Sequence, residues 1–309
     1  MVAYAIETKG LTKVFDGLTA VDHLDLRVDS GEIFGFLGPN GAGKTTTIKM
    51  MLGLTTPTAG RVRFDGLDIA KHGPEIKARV GYLPEKVAFY PNLTAAQTLA
   101  FFAELRGADP ATCPSLLEGV GLAAFADARV GTFSRGMVQL LGVAQALLGT
   151  PQVLILDEPT AGLDPRWTRT VKDRILAASE SGTTVFFSSH LLGEVQEIAD
   201  RVAILNRGKL VAEDTVEALS RQVSPEPRMR LRLKEDPQKG AEAVRDMPGV
   251  SEVEVEEGEL LVRCSEEAKA KVVQRLAERG LEVVGLRTEE SSLEEAFLAL
   301  TEEGKGAVR

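Results

Sequence analysis

Cysteine is scarce in this chain: Cys113 and Cys264 are the only two, and they lie too far apart for metal-ligand spacing. Neither a disulfide framework nor a zinc site is expected, and both read as small core residues. Long apolar runs are missing as well. No stretch approaches the roughly 20 uninterrupted apolar residues that a membrane helix needs, so the chain is not expected to cross a bilayer by itself. The opening residues, Met1 to Gly10, alternate apolar and polar as a strand would and lack a basic start followed by an apolar block, so no signal peptide is expected and a cytoplasmic location follows. Positive charge is in the minority: 36 Lys and Arg stand against 45 Asp and Glu, a net charge of −9. That argues against broad, sequence-independent nucleic-acid binding, which needs a basic face to displace counterions, and no nucleic-acid partner is expected.

What is present is an ordinary globular composition over 309 residues, enough for two separate cores. Short apolar runs bounded by turn residues recur through the first two thirds: Ile33–Leu37, Val153–Leu156, Thr184–Phe187 and Val202–Leu205. They read as buried parallel strands. Helical stretches alternate with them, including Lys44 to Leu52 and Asp164 to Ala178, where Asp164 suits the cap and Pro165 the first turn. The expected fold is a doubly wound α/β sheet. Residues 92–150 interrupt it with mostly helical sequence after the cap candidates Asn92 and Thr94, so a helical insert is expected there.

At Ser224-Pro225-Glu226-Pro227 two prolines break any continuing helix, which places a first domain at residues 1–222 and a second at 228–309. The second has another rhythm. Met229, Leu231 and Leu233 alternate with charges, Ala241 to Met247 reads as helix, and Val253 to Cys264 as a hairpin turning at Glu257-Gly258. Residues 266–279 read as helix, and Leu281, Val283 and Gly285 begin a last strand. The order β-α-β-β-α-β is that of a ferredoxin-like α+β unit.

Gly38-Pro39-Asn40-Gly41-Ala42-Gly43-Lys44-Thr45 matches the phosphate-loop pattern in full, after a strand and before a helix. Glycines let successive backbone N–H groups turn toward phosphate oxygens, and the helix start adds partial positive charge; Thr46 continues the same helix start. Lys44 offers a point charge to the β and γ phosphates and Thr45 a hydroxyl to Mg²⁺. Val153 to Glu158 supplies the carboxylates at a strand end, a Walker B pattern. Asp157 is expected in the Mg²⁺ shell and Glu158 is the candidate to polarise the attacking water. These motifs establish a nucleotide triphosphatase that uses Mg²⁺ and little more, since many unrelated proteins share them.

Thr132-Phe133-Ser134-Arg135-Gly136-Met137-Val138-Gln139 resembles the signature motif of ABC ATPases. The resemblance covers roughly residues 3–220 and includes each expected station in order. It implies that Phe15 stacks on adenine, that Gly81-Tyr82-Leu83-Pro84-Glu85 is the Q-loop, with Glu85 near the metal, and that Ala161-Gly162-Leu163-Asp164 is the D-loop. His190 would be the switch histidine. Ser134 and the Gly136 amide, with Arg135 and Met137 beside them, would contact ATP held by a second chain, so a homodimer or a pair with a similar ATPase chain is implied. Arg135 and Met137 depart from the common signature and Glu85 from the usual glutamine. Both departures resemble one branch, exporter-type subunits with an extra C-terminal domain, whose members often end in a stretch like Ser292 to Leu298.

The resemblance implies a P-loop NTPase fold and an ATP-hydrolysing motor of an exporter, peripheral on the inner face of the membrane through a separate integral permease. A soluble cassette ATPase in assembly or regulation is the alternative. No heptad repeats split the chain, as a chromosome-organising member would require.

Overall fold

The computed structural model describes residues 4–223, 228–289 and 297, and the chain divides into two compact units, Met1–Thr215 and Val216–Arg309. The expected linker at residues 224–227 and most of the closing stretch at 292–298 lie outside the described residues.

In the first unit an antiparallel hairpin, β1 (Ile6–Phe15) and β2 (Leu18–Val28), precedes β3 (Ile33–Leu37) and α1 (Lys44–Met51). Strands β4 (Ala59–Phe64) and β5 (Leu67–Asp68) then complete a four-stranded sheet in the order β2-β1-β4-β5. The sequence pattern announces only the start of this antiparallel layer, where the alternation read at Met1 to Gly10 overlaps β1. Its strands are amphipathic, and β1 shifts register past Gly10, so no uninterrupted apolar run marks them.

The chain continues through α2 (Ile69–Arg79) and β6 (Val80–Leu83) into the helical insert, with α3 (Ala95–Arg106), α4 (Cys113–Gly119) and α5 (Arg135–Ala146). Thr94 and Gln97 form a reciprocal capping box at the start of α3, satisfying two N–H groups that a bare helix end would leave orphaned. After the insert come β7 (Val153–Asp157), α6 (Pro165–Glu180), β8 (Thr184–Ser189), α7 (Leu192–Ile198), β9 (Arg201–Asn206) and β10 (Lys209–Thr215). The second sheet runs β10-β9-β3-β8-β7-β6, parallel except for β10 at its edge. The expected apolar runs are its central strands: every residue of β3, β7 and β8 is buried. Phe34 stacks on Phe186 at 5.8 Å in the middle of the sheet, worth about 0.5–1.5 kcal/mol beyond area burial.

Register decides where chemistry can happen. Leu37 pairs Ser189 and Asp157 pairs Ser188, so the carboxyl ends of β3, β7 and β8 finish side by side. Loops leaving that edge carry the phosphate-loop residues, Asp157 with Glu158, and His190. Convergent strand ends of this kind form the ligand crevice of open α/β sheets.

The second unit opens with α8 (Val216–Val223), followed by β11 (Arg228–Leu233), α9 (Pro237–Val244), β12 (Val250–Glu256), β13 (Glu259–Cys264), α10 (Glu266–Glu278) and β14 (Val283–Glu289). The sheet order β12-β13-β11-β14, antiparallel throughout, is the ferredoxin-like arrangement. Met229, Leu231, Val262 and Cys264 pack under Ala268, Val272 and Leu276 of α10. Helix α9 begins four residues before the expected Ala241 because Asp236 caps it, accepting from the Gln238 N–H, and Pro237 fits its first turn.

Candidate functional site

The phosphate loop is shaped by two close approaches. Gly43 caps α1 at φ 107°, and a Cβ there would lie 2.5 Å from the Ala20 carbonyl oxygen; one at Gly38 would lie 2.5 Å from that of Leu205. Only glycine fits either place. Within the loop the Ala42 N–H donates to the Pro39 carbonyl at 3.1 Å, and the Ala42 carbonyl accepts from Gly208 N–H at 2.9 Å, so neighbouring strands hold the loop from outside. Helix α1 starts at Lys44 with no side-chain cap, leaving its first N–H groups available to an anion.

A cavity of about 310 Å³ opens over that helix start, lined by Asn40, Lys44, Thr45, Glu85, Glu158 and His190 among others. Lys44 is buried, with its Nζ 2.6 Å from the Gly38 carbonyl oxygen and 3.4 Å from Glu158 Oε1. The other oxygen of Glu158 lies 2.8 Å from His190 Nδ1, so one carboxylate bridges the phosphate-loop lysine and the histidine. Glu158 sits at φ 51°, a left-handed backbone that a non-glycine residue adopts at a cost of order 1–3 kcal/mol unless its surroundings over-determine it. They do. Its N–H donates to Ser188 Oγ at 3.0 Å, and its carbonyl accepts from the buried Gln139 Nε2 at 3.4 Å, which also donates to the Pro159 carbonyl at 3.2 Å.

Asp157 is fully buried beneath the cavity and its Oδ1 accepts from Ser188 Oγ at 2.6 Å. Its Oδ2 has no hydrogen-bond partner. Burial pushes the Asp157 carboxyl above its ordinary pKa; the hydroxyls of Ser188 and Thr45 pull it back, and the charges of Glu85 and Glu158 push it up again. An unpartnered buried carboxylate oxygen near a threonine hydroxyl, with a second carboxylate on the cavity wall, is the donor set of a hard divalent cation. No three His, Cys, Asp or Glu side chains among the described residues could hold a metal alone, so any such cation would take its remaining oxygens from phosphate and water.

The structure thus brings Asn40, Gly41, Gly43, Lys44, Thr45, Thr46, Glu85, Arg135, Glu158 and His190 onto one cavity, with Gly38, Pro39, Ala42 and Asp157 immediately supporting it. Other expected site residues lie elsewhere. Phe15 is 45% exposed at the end of β1, with Lys13 Nζ 4.8 Å over its ring, and it does not line the cavity, although Ala20 of the same hairpin does. Ser134 caps α5, its hydroxyl accepting from the Met137 N–H at 3.2 Å, and Ser134, Gly136 and Met137 do not line this cavity. Asp164 caps α6, accepting from the Trp167 N–H at 3.0 Å. Sequence reasoning missed Ser188 and Gln139 as supports of Asp157 and Glu158. Ser188 was findable, since it pairs directly with Asp157 on the neighbouring strand; Gln139 acts across 19 residues and leaves no local trace.

A second cavity, apolar and about 380 Å³, lies between the sheet and the helical insert, lined by Leu52, Tyr82, Pro84, Val87, Phe89 and Phe102 among others. It adjoins the segment that carries Glu85. No described helix is long and apolar enough to cross a membrane.

Comparison with known proteins agrees with this geometry. The family model for the ABC transporter matches residues 21–161, and that for the ATP-binding protein DrrA1-3-like, C-terminal domain, matches residues 215–301. The bacitracin transport ATP-binding protein BcrA of Bacillus licheniformis is 38% identical over 96% of both chains. The daunorubicin/doxorubicin resistance ATP-binding protein DrrA of Streptomyces peucetius is 36% identical over 96% of this chain and 92% of its own. A solved ATP binding subunit of an ABC transporter superposes with a TM-score of 0.66 at 30% identity, covering 71% of this chain and 92% of that one.

Proposed function

The chain belongs to the ABC transporter family as an ATP-hydrolysing motor subunit of an exporter type, and from that premise we propose how its residues divide the work. The phosphate-loop amides and Lys44 hold the β and γ phosphates of ATP, while Phe15 stacks on the adenine. Mg²⁺ fits the donor set formed by the Thr45 hydroxyl, Asp157 through water, and Glu85, and when bound it would neutralise phosphate charge. Glu158 accepts the proton of the attacking water, and His190, hydrogen-bonded to it, fixes its orientation. The observation that carries this reading is the single carboxylate of Glu158 held between Lys44 and His190 at the mouth of the phosphate loop.

Ser134 and Gly136, at the start of α5 and flanked by Met137, serve ATP bound to a second copy or a similar chain, with Asp164 beside that contact. Two nucleotides then close a head-to-tail pair, and hydrolysis reopens it. The apolar cavity beside Pro84 receives a cytoplasmic helix of a separate integral permease, because its occupant would press directly on the segment carrying Glu85. The chain is then peripheral on the inner membrane face. The soluble alternative is not favoured, since relatives aligned over 96% of the chain are named for transport or resistance. Those names concern different compounds at nearly equal identity, so the load is selected by the permease rather than here.

Two measurements test the reading. A Glu158→Gln chain loaded with ATP should co-purify an integral membrane subunit from detergent-solubilised native membranes; recovery without any membrane protein would sink the exporter assignment. Mixing Lys44→Ala with Ser134→Ala chains should restore one working site per pair, whereas two inactive halves that stay inactive would show that sites are not shared.

A further inference from the structure

The signature helix has two ends to its chemistry in this chain. Ser134 stands exposed at the cap of α5, but the side chain of the next residue, Arg135, runs back into its own chain and lines the phosphate cavity together with Asn40, Lys44, Thr45 and Glu158. It reaches there across the loop after Glu158. A methyl group on Gly162 would lie 3.4 Å from Arg135 Cζ and 3.5 Å from its Nε, so the guanidinium rests on the one residue of that loop that has no side chain to obstruct it.

Two fixed cations, Lys44 and Arg135, and two carboxylates, Glu85 and Glu158, line the cavity, and Glu85 is in no ion pair with any described residue. Lys44 and His190 both engage Glu158, whereas Arg135 forms no ion pair with any described residue. A guanidinium without a carboxylate partner, beside a helix start with open N–H groups, is arranged for an anion.

We propose that Arg135 acts in cis, its guanidinium binding the terminal phosphate of the ATP held by its own phosphate loop, while Ser134 and Gly136 of the same motif serve the partner's ATP. The proposal rests on the reading that Lys44 and Thr45 hold those phosphates. One helix end then touches both nucleotides of the pair, and the position of α5 depends on whether its own site carries a γ-phosphate. ADP lacks the group that Arg135 reaches, so Arg135 discriminates ATP from ADP before any dimer forms.

The test uses the full chain carrying Glu158→Gln, at concentrations where sedimentation shows a monomer, titrated with ATP and with ADP. Adding Arg135→Gln should weaken ATP binding about five- to tenfold, the range of a charge-assisted hydrogen bond at a half-open site, with ADP binding changed less than about twofold. Arg135→Lys should recover part of the loss as a point charge without the fork, and the loss should shrink in high salt. Monomer affinity for ATP that is unchanged in Arg135→Gln, even with dimerisation lost, would overturn the cis role. Failure of the underlying reading has a different signature: Lys44→Ala would then bind ATP as tightly as the parent.

Discussion

Replacing Asp157 with asparagine should make the protein more stable while removing its response to Mg²⁺. Asp157 is fully buried, one carboxylate oxygen has no partner, and burial raises its pKa above the ordinary value. A raised carboxyl pKa means that the folded state prefers the protonated form. The group's contribution is most favourable below its unfolded pKa, and that advantage is lost as pH rises through the folded one. Above that folded pKa the ionised side chain is therefore a burden on the fold. Leaving one buried polar atom unsatisfied costs about 1–3 kcal/mol. An asparagine keeps the acceptor for Ser188 Oγ, removes the charge, and offers its amide to the Thr45 hydroxyl. A net gain of about 1–2 kcal/mol is expected, which for a unit of this size moves Tm by roughly 2–8 °C.

The assay is thermal melting with EDTA and no nucleotide, followed by ATP with and without Mg²⁺. The Asp157→Asn variant should melt higher in EDTA, and the gap should narrow as pH falls through the folded pKa of Asp157. With ATP present, Mg²⁺ should raise the Tm of the parent by mass action and leave the variant nearly unmoved. If the variant melts lower in EDTA, or gains as much from Mg²⁺ as the parent does, then Asp157 is a structural acid and the proposed cation site is misplaced.

Three further outcomes rest on the same geometry. Glu158→Gln should bind ATP yet lose hydrolysis by at least about 10²-fold, measured as phosphate release, and near-parental turnover would remove its role as base. Gln139→Ala should lower stability by about 1–3 kcal/mol in denaturant melts, because two buried carbonyls lose their donor, and should reduce kcat more than KM by loosening the Glu158 backbone; an unchanged kcat would refute the positioning argument. Phe15→Ala should weaken binding of ATP and ADP alike by about 1–3 kcal/mol, the worth of one aromatic–base stack, as read by fluorescence titration with a labelled nucleotide; loss restricted to ATP would place Phe15 elsewhere than on the base.

Much of the site could be read from the chain because its residues are contiguous or close to strand ends. Gly38 to Thr45 carries a shape requirement at Gly38 and Gly43, and the fully apolar runs that become β3, β7 and β8 announce burial without needing partners to be known. The helix cap at Asp164 was equally legible, since the Asx cap and Pro165 act within one turn. What escaped depends on distance in sequence. Gln139 reaches the Glu158 carbonyl from another helix, and the left-handed backbone at Glu158 has no glycine to advertise it. Beyond the alternation at Met1 to Gly10, the antiparallel sheet escaped for a different reason: its strands mix exposed and buried positions with a register shift, so periodicity fades where β1 pairs with β4.

Under the roles proposed above, the placement of Glu158 links binding to chemistry within one chain. Its backbone is fixed by Ser188 on one side and Gln139 on the other, so the carboxylate has little freedom except in which of its two side-chain partners it meets. Lys44 at 3.4 Å is the weaker of its two partners by distance, with His190 at 2.8 Å. Under the proposed roles, incoming phosphates compete for Lys44 with several oxygens at short range, and a charge-assisted contact to phosphate outweighs one long ion pair. Oε1 is then released toward the cavity while His190 still holds Oε2, leaving one oxygen free to take a proton from water. A base that is occupied until the lysine is drawn away cannot activate water in an empty site, so the ion pair itself couples the acceptance of ATP to the readiness to cleave it.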